Sequence, residues 1–352
     1  MITDAINNAD LRFHAASTPR PNHPGGPVTL SPGSSPVPRR RLGAHGPDVP
    51  VLGLGSWNTW DRMRPADAVA LILDALEHGV ELFDVAHYDM GPHAENARTD
   101  LMFGEAIREA GVAREDWLLC GKLWLWEYPR KGFAEQLDVA LDRIGTHRAD
   151  LVVVGDFFGE LPIPAVVTDV AEQIAAGRFG AWGVNNWSAR DVWTARRFAA
   201  AEGLTPPTFA QLKYSPARRA VAEGAPFAEL FADGMALQAS DVLEGGILAG
   251  NLHPQRKIGA DPGNLRERIR EVYPKLADAA AGFDATPAQL AIAFCLTHPA
   301  VATVLFGASR MSQWHDNLKA LDLVTKHGTT LRESLTDVWV DANVTDPAAS
   351  AT

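Results

Sequence analysis

Residues 65–91, PADAVALILDALEHGVELFDVAHYDMG, hold one complete structural period. The first part, PADAVALILDALEHG, is amphipathic and ends in Gly79, the residue type that closes a helix from its C-cap side. The following run, VELFDVA, is short, apolar and rich in β-formers, as a buried strand is. Directly behind it Asp84, His87 and Tyr88 fall within five residues, in the place where a catalytic loop begins.

From residue 50 onward this alternation recurs about eight times. The strand-like runs are VPVLGLG, VELFDVA, WLLCGKLW, ADLVVVGDF, FGAWGVNNW, PTFAQLKY, MALQASDVL and VATVLFGA, separated by helical stretches such as FAEQLDVALDRIGT. Near-continuous apolar strands alternating with helices predict a parallel sheet covered by helices, and eight such units predict a closed (β/α)8 TIM barrel of the α/β class. An open doubly wound sheet is the alternative, but no Gly-x-Gly-x-x-Gly follows an early strand, and the pair Gly53 and Gly55 is too little to stand for one. The barrel is expected over residues 41–340, after a Pro/Gly/Ser-rich extension over 1–40 and before a short tail over 341–352.

At 352 residues and 46% hydrophobic composition the chain can bury a large single core. A net charge of -11, with no basic cluster beyond Arg39 to Arg41, predicts neither a nucleic-acid nor an anionic-membrane partner. The only two cysteines, Cys120 and Cys295, lie in apolar runs and read as reduced core thiols. The segment after the arginines carries Asp48 and two prolines and does not read as a secretory signal, so a cytoplasmic location is expected. No His-Glu-x-x-His or comparable spacing predicts a metal. Oligomeric state is left open.

In a barrel of this kind the chemistry gathers at the C-terminal strand ends. In order, the strands deliver Ser56-Trp57, Asp84 with Tyr88, Lys122, Gly155-Asp156, Asn185-Asn186, Gln211, Asp241, and Gly307 to Arg310. An Asp, a Tyr and a Lys on consecutive strand ends point to proton chemistry: Lys122, paired with Asp84, would hold a positive charge near the Tyr88 phenol and favour its ionised form. Each also has a plain structural use, as helix N-cap, snorkelling lysine or packed ring.

These residues resemble the aldo-keto reductases. The resemblance spans about residues 40–325 and rests on LGLGSW, DVAHY with DLMFGEAI, the Gly-Lys of Lys122, DLVVVG, GVNNW, Gln211, LEGGILAG, TPAQLAIAF and GASRMSQWHDN, in that order. It implies NADPH-dependent reduction of an aldehyde, ketone or sugar-like carbonyl, with Asp84, Tyr88 and Lys122 as catalytic residues and Tyr88 as general acid. Two departures stand out. Gly155 occupies the place where the family usually has a histidine, and three residues separate Asp84 from Tyr88 where the family generally has four. His87 and His93, both in the segment after the Asp84 strand, are therefore candidates to supply the missing imidazole.

The resemblance also implies the cofactor site. Asn186 and Gln211 match positions that hold the nicotinamide carboxamide, and Ser309, Arg310, Gln313 and Asn317 match the adenosine-phosphate clamp, which favours NADPH over NADH. Ser56, Trp57, Asn185, Asp241 and Gly307 complete the expected cofactor contacts. Asp241 stands where a serine is common, and a carboxylate beside a pyrophosphate is unfavourable unless paired. Trp57, Trp124, Trp126 and Phe157 form a candidate aromatic wall for a small-molecule substrate, with His87 and Asp156 beside it. Two other functions stay open: a non-redox step, dehydration or isomerisation, on the same barrel, and a catalytically silent cofactor-binding protein.

Overall fold

Pro65 sits at the start of a helix running Pro65–Glu77 (α1), where its missing N–H costs nothing, and Ala68, Leu71, Ile72 and Ala75 form the face it buries. His78 caps it, Gly79 turns the chain with φ +78°, and the backbone enters a strand at Leu82–Asp84. The computed structural model describes residues 37–94, 97–155, 157, 159–255, 258–259, 261 and 263–344. Through them the unit repeats around a closed barrel.

A hairpin of Arg39–Arg41 (β1) and Asp48–Pro50 (β2) comes first, followed by the barrel strands Leu52–Gly55 (β3), Leu82–Asp84 (β4), Leu118–Leu123 (β5), Leu151–Val154 (β6), Ala181–Asn185 (β7), Phe209–Lys213 (β8), Ala236–Ser240 (β9) and Val301–Phe306 (β10). The eight barrel strands are all parallel, and β10 closes on β3 through Val304 opposite Leu52. Between and after them lie Thr99–Glu109 (α2), Phe133–Ile144 (α3), Ile163–Ala175 (α4), Ala189–Glu202 (α5), Ala220–Glu223 (α6), Ala225–Ala232 (α7), Arg266–Gly282 (α8), Pro287–Leu296 (α9), Met311–Leu318 (α10), Ala320–His327 (α11) and Thr330–Glu333 (α12). Every one of the eight expected runs supplies a barrel strand.

Residues on a strand alternate between the barrel interior and the helix layer. Leu151 and Val153 of β6 pack inside with Leu82, Cys120, Phe209 and Leu305, while Val152 and Val154 join the helices. Both sides are apolar, which is why the strands read as unbroken hydrophobic runs and not as alternating ones. Leu42 and Val49 of the hairpin pack into the interior cluster and plug the N-terminal end.

Two boundaries differ from expectation. The run VPVLGLG divides, Asp48–Pro50 turning back on β1 and Leu52–Gly55 entering the barrel, because Pro50 has no N–H to give a second strand. Arg39 and Arg40, drawn with the extension, belong to that hairpin, and Arg40 donates to the Val301 carbonyl at 2.5 Å. Residues 1–36 and 345–352 lie outside the described residues. At the other end Asp341 accepts hydrogen bonds from the Arg219 and Ala220 N–H groups at the start of α6, so the tail begins as part of the packed body. No single helix among the described residues is long and apolar enough to cross a membrane.

Candidate functional site

Asp84 ends β4, Lys122 lies on the neighbouring strand β5, and Gln211 reaches across from β8. Lys122 Nζ is 3.3 Å from Asp84 and donates to Gln211 Oε1 at 2.5 Å. The Gln211 amide nitrogen donates to Asp84 Oδ2 at 2.8 Å and to Gln238 Oε1 at 2.7 Å, and its oxygen also accepts from Asn185 Nδ2 at 3.1 Å. A carboxamide has two N–H donors and two acceptor lone pairs, so Gln211 is fully used. Below this network the Cys120 thiol is pushed well up by burial and by the Asp84 charge, which keeps it protonated.

Tyr88 lies within the same cavity despite the shorter loop. Its ring is held edge-on by Trp57 at 4.3 Å between centroids and faces Trp124 at 5.9 Å, and its hydroxyl is 3.4 Å from Ser56 Oγ. Two bonds set the loop: Ala86 N–H donates to Ser56 Oγ at 3.2 Å, and Trp124 Nε1 donates to the His87 carbonyl at 2.8 Å. The His87 ring points elsewhere. It stands 3.1 Å from Asp100 and 3.6 Å from Asp89, in a separate hollow that Arg98 and Arg143 also line. His87 is thus no substitute for the missing imidazole, because neighbouring carboxylates draw its side chain away from the barrel mouth.

Gly155, where that imidazole is missing, is hemmed in by its neighbours. A Cβ built on Gly155 would meet Trp124 Cε3 at 2.7 Å and the Leu123 carbonyl at 3.0 Å. Trp126 and Phe157 form a second ring pair at 5.3 Å, with Trp126 packed against the cluster around Tyr88. Asp156 and the side chain of His93 lie outside the described residues.

One cavity of about 620 Å³ is lined by Tyr88, Lys122 and Asp84 and continues to Gly307, Ser309, Arg310 and Gln313 at the start of α10. Ser56, Trp57, Asn185, Asn186 and Asp241 line it too, as expected. Asn317 does not: it is buried in α10 at 4% exposure and lies away from the cavity wall. Gln211 lines it as well, with its amide committed to Lys122, Asp84, Gln238 and Asn185.

Two lining cations were missed in the sequence. Lys213 lies two residues beyond Gln211 on β8, hence on the same face, and its Nζ donates to Asp241 Oδ2 at 2.6 Å. Burial works to raise the Asp241 carboxyl, but the Lys213 charge and hydrogen bond and the Gly245 N–H outweigh it and lower it. The expected unpaired anion is therefore paired. Arg62, in the turn after β3, donates to Asn58 Oδ1, and neither Arg62 nor Arg310 has a carboxylate partner among the described residues. With Lys122 and Lys213 neutralised, these two guanidiniums leave the cavity positive in a chain of net charge -11.

The chain is similar to curated proteins named as voltage-gated potassium channel beta subunits. One from Arabidopsis thaliana is 29% identical over 311 residues, covering 81% of this chain and 91% of that protein. One from Schizosaccharomyces pombe is 26% identical over 319 residues, covering 82% and 90%. Among solved structures, a thermostable aldo-keto reductase superposes with a TM-score of 0.66 at 24% identity over 85% of this chain and 99% of that one, a likeness of fold. Over residues 51–333 the sequence matches the model of the Aldo/keto reductase family, and the chain belongs to that family.

Proposed function

We propose that the protein is an NADPH-dependent reductase of aldehydes or ketones acting in the cytoplasm. The observation that carries this reading is the single cavity that joins Tyr88 and the Lys122–Asp84 pair to Arg310, Ser309 and Gln313. The residues present fit the cofactor. Two guanidiniums without carboxylate partners among the described residues suit its phosphates, and Arg310 sits at the start of α10. Arg310 and Ser309 would hold the adenosine phosphate, and Asn186 would face the nicotinamide end.

When bound, the reduced nicotinamide supplies the hydride. The chain's own part is the proton and the geometry. Tyr88 gives its hydroxyl proton to the carbonyl oxygen, Lys122 provides a positive charge in the same cavity, and Asp84 and Gln211 hold the lysine in place. Trp57 and Trp124 confine the phenol and exclude water from it.

The test is consumption of NADPH against a panel of carbonyl compounds, followed by its absorbance, with Tyr88→Phe as control. A fall on the order of 10²-fold in turnover with NADPH affinity retained is the expected result. One observation favours a second reading, cofactor binding without carbonyl turnover: Gly155 supplies no second donor, and a Cβ there would meet Trp124 Cε3 at 2.7 Å. Tight NADPH binding with no consumption across the panel would establish it.

A further inference from the structure

Two buried polar residues at the start of α2 do not line the cavity. Thr99 is fully buried and Asp100 is 1% exposed, although polar groups of these types are mostly found at the surface. Both are used against the loop that carries Tyr88. Thr99 Oγ1 donates to the Ser56 carbonyl at 2.6 Å, and Ser56 Oγ in turn takes the Ala86 N–H and stands beside the Tyr88 hydroxyl. Asp100 Oδ2 faces His87 Nδ1 at 3.1 Å, without full hydrogen-bond alignment. Consecutive residues of α2 thus hold the loop at Ala86 and at His87, the two positions before Tyr88.

Asp100 is itself fixed. Arg143 of α3 donates to it from two nitrogens, at 2.5 and 2.9 Å, and the Leu101 N–H donates to it at 2.9 Å. His87 is held at both ends: its ring lies between Asp100 and an Asp89 that Lys131 also pairs, and its carbonyl accepts from Trp124 Nε1. His87 and Tyr88 go to opposite sides of the loop, the imidazole out to the hollow and the phenol in to the cavity. One peptide unit joins them, so what holds the first ring outward turns the second inward.

Resting on the reductase reading, we infer that Asp100 is a positioning residue for the proton donor: acting through His87, it holds the Tyr88 phenol in the cavity, and the hollow behind the loop governs turnover without touching substrate or cofactor. A proton donor works only within hydrogen-bond reach of the oxygen it serves. Displacement by about 1 Å can cost about 10²-fold in rate. A slackened loop therefore lowers kcat and leaves cofactor binding, which depends on other residues, as it is.

The experiment measures kcat, KM for benzaldehyde and the NADPH dissociation constant in the full chain. His87→Ala and Asp100→Asn should each lower kcat by about tenfold or more, with KM and the dissociation constant within about threefold of their starting values. The double variant should fall no further than the worse single one, because both cut the same link. His87→Asn, which keeps a nitrogen donor in the place of Nδ1, should retain kcat within about threefold. Arg108→Met removes a different bond between α2 and α3, the one to the Ile144 carbonyl, and should leave kcat unchanged. Unchanged kcat in His87→Ala, losses that add in the double variant, or an equal loss in Arg108→Met overturns the inference. If Asp100→Asn does not fold, His87→Ala against His87→Asn decides. A second readout needs no turnover: with 3-fluorotyrosine incorporated, the Tyr88 fluorine resonance, assigned with Tyr88→Phe, should shift and broaden in Asp100→Asn and His87→Ala and stay in place in His87→Asn. A resonance that both Asp100→Asn and His87→Ala leave unmoved overturns the inference whatever the activity. If no compound of the carbonyl panel consumes NADPH, the reductase reading fails by itself and the fluorine signal alone decides.

Discussion

Lys213 Nζ stands 2.6 Å from Asp241 Oδ2 on the wall of the cavity, so a carboxylate that would repel a diphosphate is neutralised from the neighbouring strand. Asp241→Asn keeps the shape and removes the charge, leaving Lys213 available to a phosphate. NADPH binding should tighten by about tenfold, as one unscreened charge at this range allows. Lys213→Met does the reverse, weakening binding and costing about 2–3 kcal/mol of stability by leaving a largely buried carboxylate alone. Fluorescence titration and thermal unfolding measure the two effects.

Replacing Gly155 by histidine should not restore a second proton donor. Its Cβ would lie 2.7 Å from Trp124 Cε3, and overpacking of this kind costs about 1–3 kcal/mol. Gly155→Ala alone should lower the melting temperature for the same reason, and Trp124→Leu should make that change cheaper. A double-mutant cycle in thermal unfolding reads the coupling, and additivity between the two sites would contradict the contact.

Gln211 belongs to the Lys122–Asp84 unit. Gln211→Leu removes the acceptor for Lys122 and the donor to Asp84, which should cost about 1–3 kcal/mol of stability. Turnover should fall with the misplaced lysine while the NADPH dissociation constant changes by no more than about threefold. A loss of cofactor affinity matching the loss of turnover would return Gln211 to the carboxamide.

Arg310 tests the cofactor choice. It lines the cavity at the head of α10, and a guanidinium pairs with a phosphate in two-pronged fashion. NADPH should bind more tightly than NADH, and Arg310→Ala should narrow the difference. Equal affinities in the unmutated protein would remove the assignment.

Acid stability tests the hollow behind the catalytic loop. Burial pushes the Asp100 carboxyl up, but contacts with His87 and Arg143 and the Leu101 N–H outweigh it and bring it down to about 2. Its folded value lies below its unfolded one, so its contribution is complete above the ordinary carboxylate range and is lost as pH falls toward 2. Asp100→Asn should remove about 2 kcal/mol at neutral pH and flatten the decline between pH 4 and 2. Denaturant unfolding at a series of pH values would show it.

The sequence by itself determined the barrel and much of the site. Eight apolar runs with helices between them admit few other arrangements, because burial on both faces of a parallel sheet leaves a local mark in every strand. Asp84, Lys122, Asn185, Gln211 and Asp241 were legible for the same reason, being polar residues at the ends of such runs. Only the tertiary structure decided what these side chains hold. Gln211 turns inward because Asp84 and Lys122, 127 and 89 residues away, together with Gln238 and Asn185, saturate its amide. His87 turns outward because Asp100 lies behind it, and Asp241 is harmless because Lys213 is beside it. Gly155 is hemmed in by an indole from the adjacent strand's end. Each of these is a contact between segments far apart in the chain, which periodicity and spacing do not encode: they fix which face a residue takes, and the partners it meets there are set by how the strands close.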